Sequence, residues 1–174
     1  MGALERDEWL RAAWRVVTYK TEPERLVFVD EMGTNTSLSP LHAWSLRGER
    51  ARCAVLRDRG KNPTLLSSMS AEGMGPTLAI TAAVDTRLFE AYLKRVLLPE
   101  LRPRRIVVMS NLSAHKTHKV RELAEGAGCE LRYLPPYSPN LNPIEEAFSK
   151  NKAFCARLRP ARTGLWLRRS VRRS

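Results

Sequence analysis

Two short apolar runs, each ending on polar side chains, restrict the fold of this chain more than any other feature. In RLVFVDE (25–31) the residues Leu26, Val27, Phe28 and Val29 lead straight into Asp30 and Glu31. In RRIVVMSN (104–111) the run Ile106, Val107, Val108 and Met109 leads into Ser110 and Asn111. Apolar runs without polar alternation suit strands covered on both faces, as in parallel sheets, with a functional side chain delivered at the C-terminal end.

A third segment, LPPYSPNLNPIEEAFSK (134–150), has the form of an approach to a helix. Pro135 and Pro136 stiffen it, and Tyr137, Ser138 and Pro139 form a turn that aims the Glu145 helix. Asn142 is expected as N-cap, Pro143 at the first helical position and Glu145 at the third. Two strand ends and one helix start can meet at one point. Asp30 and Glu145 gathered there would repel each other unless a cation sat between them, and hard cations such as Mg2+ take oxygen ligands.

Punctuation and periodicity organise the rest. A leading helix is expected within 4–20, where Leu4, Trp9, Leu10, Ala13, Val16 and Val17 recur near helical spacing. Strands are expected at 25–31, about 52–56, 64–70 and 76–84, with 71–75 as a hairpin turn. A helix over 85–98, capped by Asp85, precedes a strand at 105–110, a helix at about 115–126, a strand at 130–134 and the helix from Pro143. Hairpin strands first, then strand and helix in alternation, describe an α/β fold with a mixed sheet flanked by helices.

The net charge of +12 is unevenly placed. Nine basic residues and no acid follow Glu146, so only +3 belongs to residues 1–146. Such a tail, including Arg168 and Arg169, is suited either to attaching to phosphates through counterion release, without reading sequence, or to being a poorly ordered end of the chain. Arg57, Arg59 and Lys61, around Gly60, form a second basic segment suited to a DNA backbone or to solvent. At 43% hydrophobic residues the chain can build a core, and no apolar run approaches a membrane span. MGALERDEW lacks a signal peptide's apolar stretch, so a cytoplasmic protein is expected. Cys53, Cys129 and Cys155 are odd in number and scattered, which suggests neither a disulfide framework nor zinc.

FVDE, the NLSAHK that follows Ser110, and above all PPYSPNLNPIEEAFSK resemble the DDE transposases of bacterial insertion sequences in the mariner superfamily, in the branch written IS-six-thirty. The likeness runs from about Arg25 to Lys152, and 34 residues separate Ser110 from Glu145, as that superfamily separates its second and third acids. It implies a ribonuclease H-like fold and two divalent ions, Mg2+ or Mn2+, that activate water and then a 3′ hydroxyl for in-line attack on DNA phosphodiesters. Asp30 matches the first catalytic acid and metal ligand, and Glu145 the third. Ser110 stands in the place of the second, and a serine hydroxyl brings no formal charge to a metal.

The resemblance therefore implies a transposase catalytic domain, truncated and impaired in metal-dependent DNA cleavage and strand transfer. The alternative is a non-catalytic DNA-binding remnant that interferes with an intact transposase. DNA is the expected partner, with a homodimer or association with an intact transposase beside it. The expected organisation is a short helical segment at 1–24, a catalytic domain at 25–155 and an arginine-rich tail at 156–174. With 24 residues ahead of the first core strand, the helix-turn-helix reader of the relatives is expected to be missing.

His115 and Lys116 follow the second strand closely and are candidate phosphate contacts. Asn111 is a weaker candidate for a metal-facing carbonyl, Glu31 a supporting acid, and Glu146 the lesser alternative to Glu145. His115 and His118 lack the third partner a metal site needs. A serine hydrolase built on Ser110 or Ser113 with His115 has no nucleophile elbow and no evident acid partner. Asn151 falls on the apolar stripe of the last helix, where a polar group weakens packing.

Overall fold

The computed structural model describes residues 7–33, 47, 48, 63–112 and 115–157. Helix α1 spans Glu8–Tyr19, and Asp7 caps it by accepting from the Trp9 and Leu10 backbone N–H groups at 2.9 and 3.0 Å. Strand β1 (Leu26–Gly33) follows, then the hairpin β2 (Thr64–Ser70) and β3 (Gly73–Ile80). Helix α2 (Thr86–Tyr92) begins at the expected cap, with the Leu88 N–H donating to Asp85 at 2.8 Å. It widens into a π-type turn at Leu93–Leu97 and closes as a 3-10 turn at Leu98–Glu100, where Pro99 ends it. Strand β4 (Ile106–Met109), helix α3 (His118–Gly126), strand β5 (Glu130–Tyr133) and helix α4 (Pro143–Arg157) complete the order.

The five strands form one mixed sheet in the order β3-β2-β1-β4-β5. The first pairings are antiparallel, and β1–β4 and β4–β5 are parallel. Alternation along the central strands sorts their side chains onto two faces. Val27, Val29, Val107 and Met109 pack with Phe89, Tyr92, Leu93, Leu97 and Val120 beneath α2 and α3. Leu26, Phe28, Met32, Ile106 and Val108 pack with Ile144 and Phe148 of α4, and Trp14 of α1 joins that side. All four residues of β4 are buried, as its unbroken apolar run requires.

The hairpin is tighter than expected. Its turn is confined to Ala71 and Glu72, and β3 starts at Gly73, whose φ of 119° belongs to glycine. Gly75 is restricted by space instead, since a Cβ there would lie 2.4 Å from the buried Ser68 Oγ. Gly75→Ala is expected to cost about 1–3 kcal/mol by overpacking. Adding Ser68→Ala should recover most of that loss, and urea denaturation of both single variants and the double variant measures the coupling.

Two local expectations are corrected. The leading helix forms, but Trp9, Leu10, Val16 and Val17 face outward while Arg11 is fully buried. Asn151 is exposed, so it does not interrupt the core; α4 anchors through Ile144 and Phe148. The strand expected at 52–56 lies outside the described residues.

Candidate active site

Parallel pairing of β1 with β4 sets Val29 opposite Met109. Asp30 and Ser110 are the next residues of the two strands, so the fold places their backbones at one end of the central sheet. From the far side of the sheet α4 begins beside them, and its first turn carries Glu145.

Asp30 is 7% exposed. One carboxylate oxygen accepts the Glu31 backbone N–H at 2.9 Å, and the other accepts the Asn142 side-chain amide at 2.8 Å. Burial lifts its pKa from 3.8 to about 6; the Glu31 N–H opposes this, while the charges of Glu145 and Glu31 and a side-chain hydrogen bond with Glu145 add to it. Burial also raises the Glu31 carboxyl. Glu145 is exposed, and its N–H bonds the Asn142 carbonyl at 3.2 Å. Glu146 forms an exposed ion pair with Lys150 at 2.9 Å, which lowers its pKa.

A buried acid held near pH 6 destabilises the fold when it ionises. Since the folded-state pKa lies above the unfolded one, the favourable contribution is complete below about pH 4 and is lost by about pH 6. Asp30→Asn, which still accepts from Asn142, is therefore expected to raise stability at neutral pH by about 2 kcal/mol and to flatten the pH dependence between about 4 and 6. Urea midpoints across that range check it. No gain at neutral pH would place the charged form of Asp30 in a more polar setting than its contacts indicate.

Asn142 corrects the sequence reading in an informative way. Its backbone is extended, as an N-cap should be, and its N–H bonds the Pro139 carbonyl at 2.9 Å. Its side chain, however, turns inward to Asp30 and leaves Oδ1 buried without a hydrogen-bond partner. The same Asn-Pro pair that signals a helix start also delivers a polar group to the acid. Sequence logic detects the first role and has no signal for the second.

Arg11 carries no signal in the sequence at all. From α1 its Nη1 donates to Ser138 Oγ at 2.6 Å and to Asn140 Oδ1 at 3.1 Å, while Glu8 lies 3.4 Å from Nε. A helix more than a hundred residues away in sequence thus fixes the turn that aims Glu145. Alongside that turn an open depression of about 440 Å³ is lined by Asn140, Asn142, Glu145 and Ser149, among others.

Ser110 hydrogen-bonds His115 Nδ1 at 3.0 Å. The imidazole stacks on Phe89 with centroids 4.0 Å apart, and the His115 carbonyl accepts from the Tyr133 hydroxyl at 2.9 Å. At 1% exposure His115 cannot reach a phosphate, which corrects the expectation of a DNA contact there. Burial lowers its pKa and keeps the ring neutral. The serine and histidine of the hydrolase reading are brought together, but His115 Nε2 has no hydrogen-bond partner, so no carboxylate orients the ring.

Lys116 is exposed, its Nζ lying 5.9 Å above the Tyr133 ring. His118 is a surface residue paired with Glu122 and stands apart from His115. Arg57, Arg59, Lys61, Arg168 and Arg169 lie outside the described residues. Among the described residues no three His, Cys, Asp or Glu side chains gather into a metal-holding group. Asp30 and Glu145 adjoin the Asn142 amide, whose nitrogen faces Asp30 and whose oxygen is left without a partner; all three are oxygen-bearing side chains of the kind a hard cation takes. No helix among the described residues is long and apolar enough to cross a membrane.

The fold is similar to that of the Mos1 transposase catalytic domain. In a pre-cleavage Mos1 transpososome the matching chain superposes with a TM-score of 0.69 at 20% identity, over 86% of this chain and 48% of that one. A Mos1 mariner paired-end complex with Mn gives 0.65 at 19% identity, over 88% and 49%. The isolated Mos1 catalytic domain gives 0.57 at 17% identity, over 86% and 69%. The chain thus spans about half the length of the full transposases it matches, and its mixed sheet with flanking helices is the ribonuclease H-like fold of their catalytic domain. No curated protein matches it. Residues 25–165 match the family described as DDE superfamily endonuclease, and the chain belongs to that family.

Proposed function

We propose that this chain is a DDE transposase catalytic domain of the IS-six-thirty branch that binds DNA but is impaired in cleavage and strand transfer. One observation carries the reading: Asp30 and Glu145 converge through Asn142, while position 110 offers a hydroxyl already bonded to His115. Asp30, oriented by the Glu31 N–H and the Asn142 amide, and Glu145, at a helix start, would together hold Mg2+ or Mn2+. When bound, such an ion supplies activation of the attacking oxygen and neutralises charge on the leaving one. With one acid short, the site would hold a single ion weakly. Mos1 structures with Mn and with Mg support divalent-metal use of this kind.

DNA is the substrate class, and phosphate contacts come from Lys116, from Arg57, Arg59 and Lys61, and from the tail at 156–174 with Arg168 and Arg169. Self-association or pairing with an intact transposase in the cytoplasm fits the same role. Deleting residues 156–174 is expected to remove most nonspecific affinity and to flatten its salt dependence, as loss of seven arginines should. Gel-shift titrations at several salt concentrations test this, and an unchanged slope would move the footprint to the core. On supercoiled plasmid with Mn2+ the native chain is expected to bind without nicking. Ready nicking would remove the impairment, and binding without nicking by any repaired variant would favour the non-catalytic remnant that competes for DNA.

A further inference from the structure

Asn142 is spent on an unusual task for a residue that opens a helix. The residue is 5% exposed, and its backbone is fixed at both ends, by the Pro139 carbonyl and by the Glu145 N–H. The amide does not cap α4. It donates Nδ2 to Asp30 Oδ2 at 2.8 Å and leaves Oδ1 buried without a partner. An unsatisfied buried carbonyl is unfavourable, so the position is held against that penalty.

A half-turn of the amide exchanges its nitrogen and oxygen within nearly the same volume. In the orientation seen, the nitrogen is satisfied by Asp30 and the oxygen is left buried without a partner, so the group beside Asp30 bears on which atom faces it. A carboxylate alone selects the nitrogen, which donates to it. A cation shared with that carboxylate selects the oxygen, because an amide carbonyl is a ligand for hard cations and an N–H is not.

We propose that Asn142 is a metal ligand, the third oxygen donor of the Asp30–Glu145 site, and that its amide turns over when a divalent ion binds. This rests on the proposed metal use of the site and goes beyond it, since an amide of the helix start takes a role that the acids of the site do not fill. Ser110, engaged with His115, contributes no charge, so the side chain already against Asp30 supplies the missing oxygen.

The test uses the full chain with Mg2+ or Mn2+ alone. Mn2+ affinity is read from the free-ion electron paramagnetic resonance signal in the native protein, Asn142→Ala, Asn142→Asp and Asp30→Ala, each checked for folding by circular dichroism. Asn142→Ala is expected to weaken binding at least about tenfold, Asn142→Asp to match or strengthen it, and Asp30→Ala to abolish it. Since Asn142→Ala also removes a hydrogen bond to Asp30, the side-chain amide is followed directly. Its proton resonances, assigned by their absence in Asn142→Ala, should move upfield on Mg2+ addition as the bond to Asp30 breaks.

Affinity within twofold of native in Asn142→Ala, or amide resonances that stay in place while Mg2+ saturates, would overturn the proposal. So would the absence of any Mn2+ site at millimolar ion. DNA binding and plasmid nicking are measured separately: absence of any Mn2+ site would also remove the metal use in the proposed function, whereas Mn2+ binding that Asn142→Ala leaves unchanged would overturn the role of Asn142 alone.

Discussion

Ser110→Asp is expected to confer Mn2+-dependent nicking of supercoiled DNA that the native chain lacks, with a gain of at least about a hundredfold. A charged metal ligand contributes several kcal/mol of transition-state stabilisation, and each ~1.4 kcal/mol is tenfold in rate. The site is prepared for the change. His115 Nδ1 lies 3.0 Å from the Ser110 oxygen and can donate to a carboxylate there, with Phe89 stacked on the ring and the Tyr133 hydroxyl anchoring the His115 backbone carbonyl. Adding Asp30→Ala should abolish the gain. Equal nicking by native protein and Ser110→Asp on one plasmid preparation would mean that the second acid is dispensable or stands elsewhere. A variant that folds, binds Mn2+ and still leaves DNA intact would place the defect outside these three positions.

Arg11→Ala is expected to be the most destabilising single change on the α4 side, by about 3–5 kcal/mol. It empties a large, fully buried volume and removes the donor to Ser138 and Asn140. Arg11→Met fills much of the volume and removes a buried charge, so it should cost less, about 1–2 kcal/mol. Denaturant unfolding ranks the two. If both cost under about 0.5 kcal/mol, the size of a surface change, the guanidinium is not the clamp its contacts describe. The Met variant carries the more specific message: with the packing kept and the hydrogen bonds gone, Mn2+ affinity at Glu145 should still fall, because the turn ahead of α4 loses its fixed point.

Much of this fold is legible because its strands and caps are local decisions. LVFVDE and IVVM announce buried parallel strands, and Asp85 and Pro143 mark helix starts by the chemistry of unsatisfied N–H groups. Asp30 and Glu145 follow from those two rules together. What the sequence hides is long-range. The apolar spacing of α1 suggests the wrong face, because the inward position belongs to an arginine whose partners, Ser138 and Asn140, lie on a distant turn. His115 reads as a surface residue after a strand, yet Phe89 on another helix draws it into the core. Asn142 shows the limit most clearly, since one residue obeys the local rule in its backbone and a tertiary demand in its side chain.

The bond between Asp30 and Asn142 joins residues 112 positions apart, and it closes the sheet's acid beneath the last helix. A chain still missing α4 leaves Asp30 in water, with ordinary acidity and no neighbouring Glu145. Docking α4 is therefore the step that desolvates the acid, and it works against a charge penalty that the strands alone never meet. Ile144 and Phe148, packed against Leu26, Phe28, Ile106 and Val108, must outweigh that penalty for the helix to stay docked. Protonation of Asp30 removes the penalty and favours the docked helix, so that the charge of the site and the closure of the fold are one equilibrium.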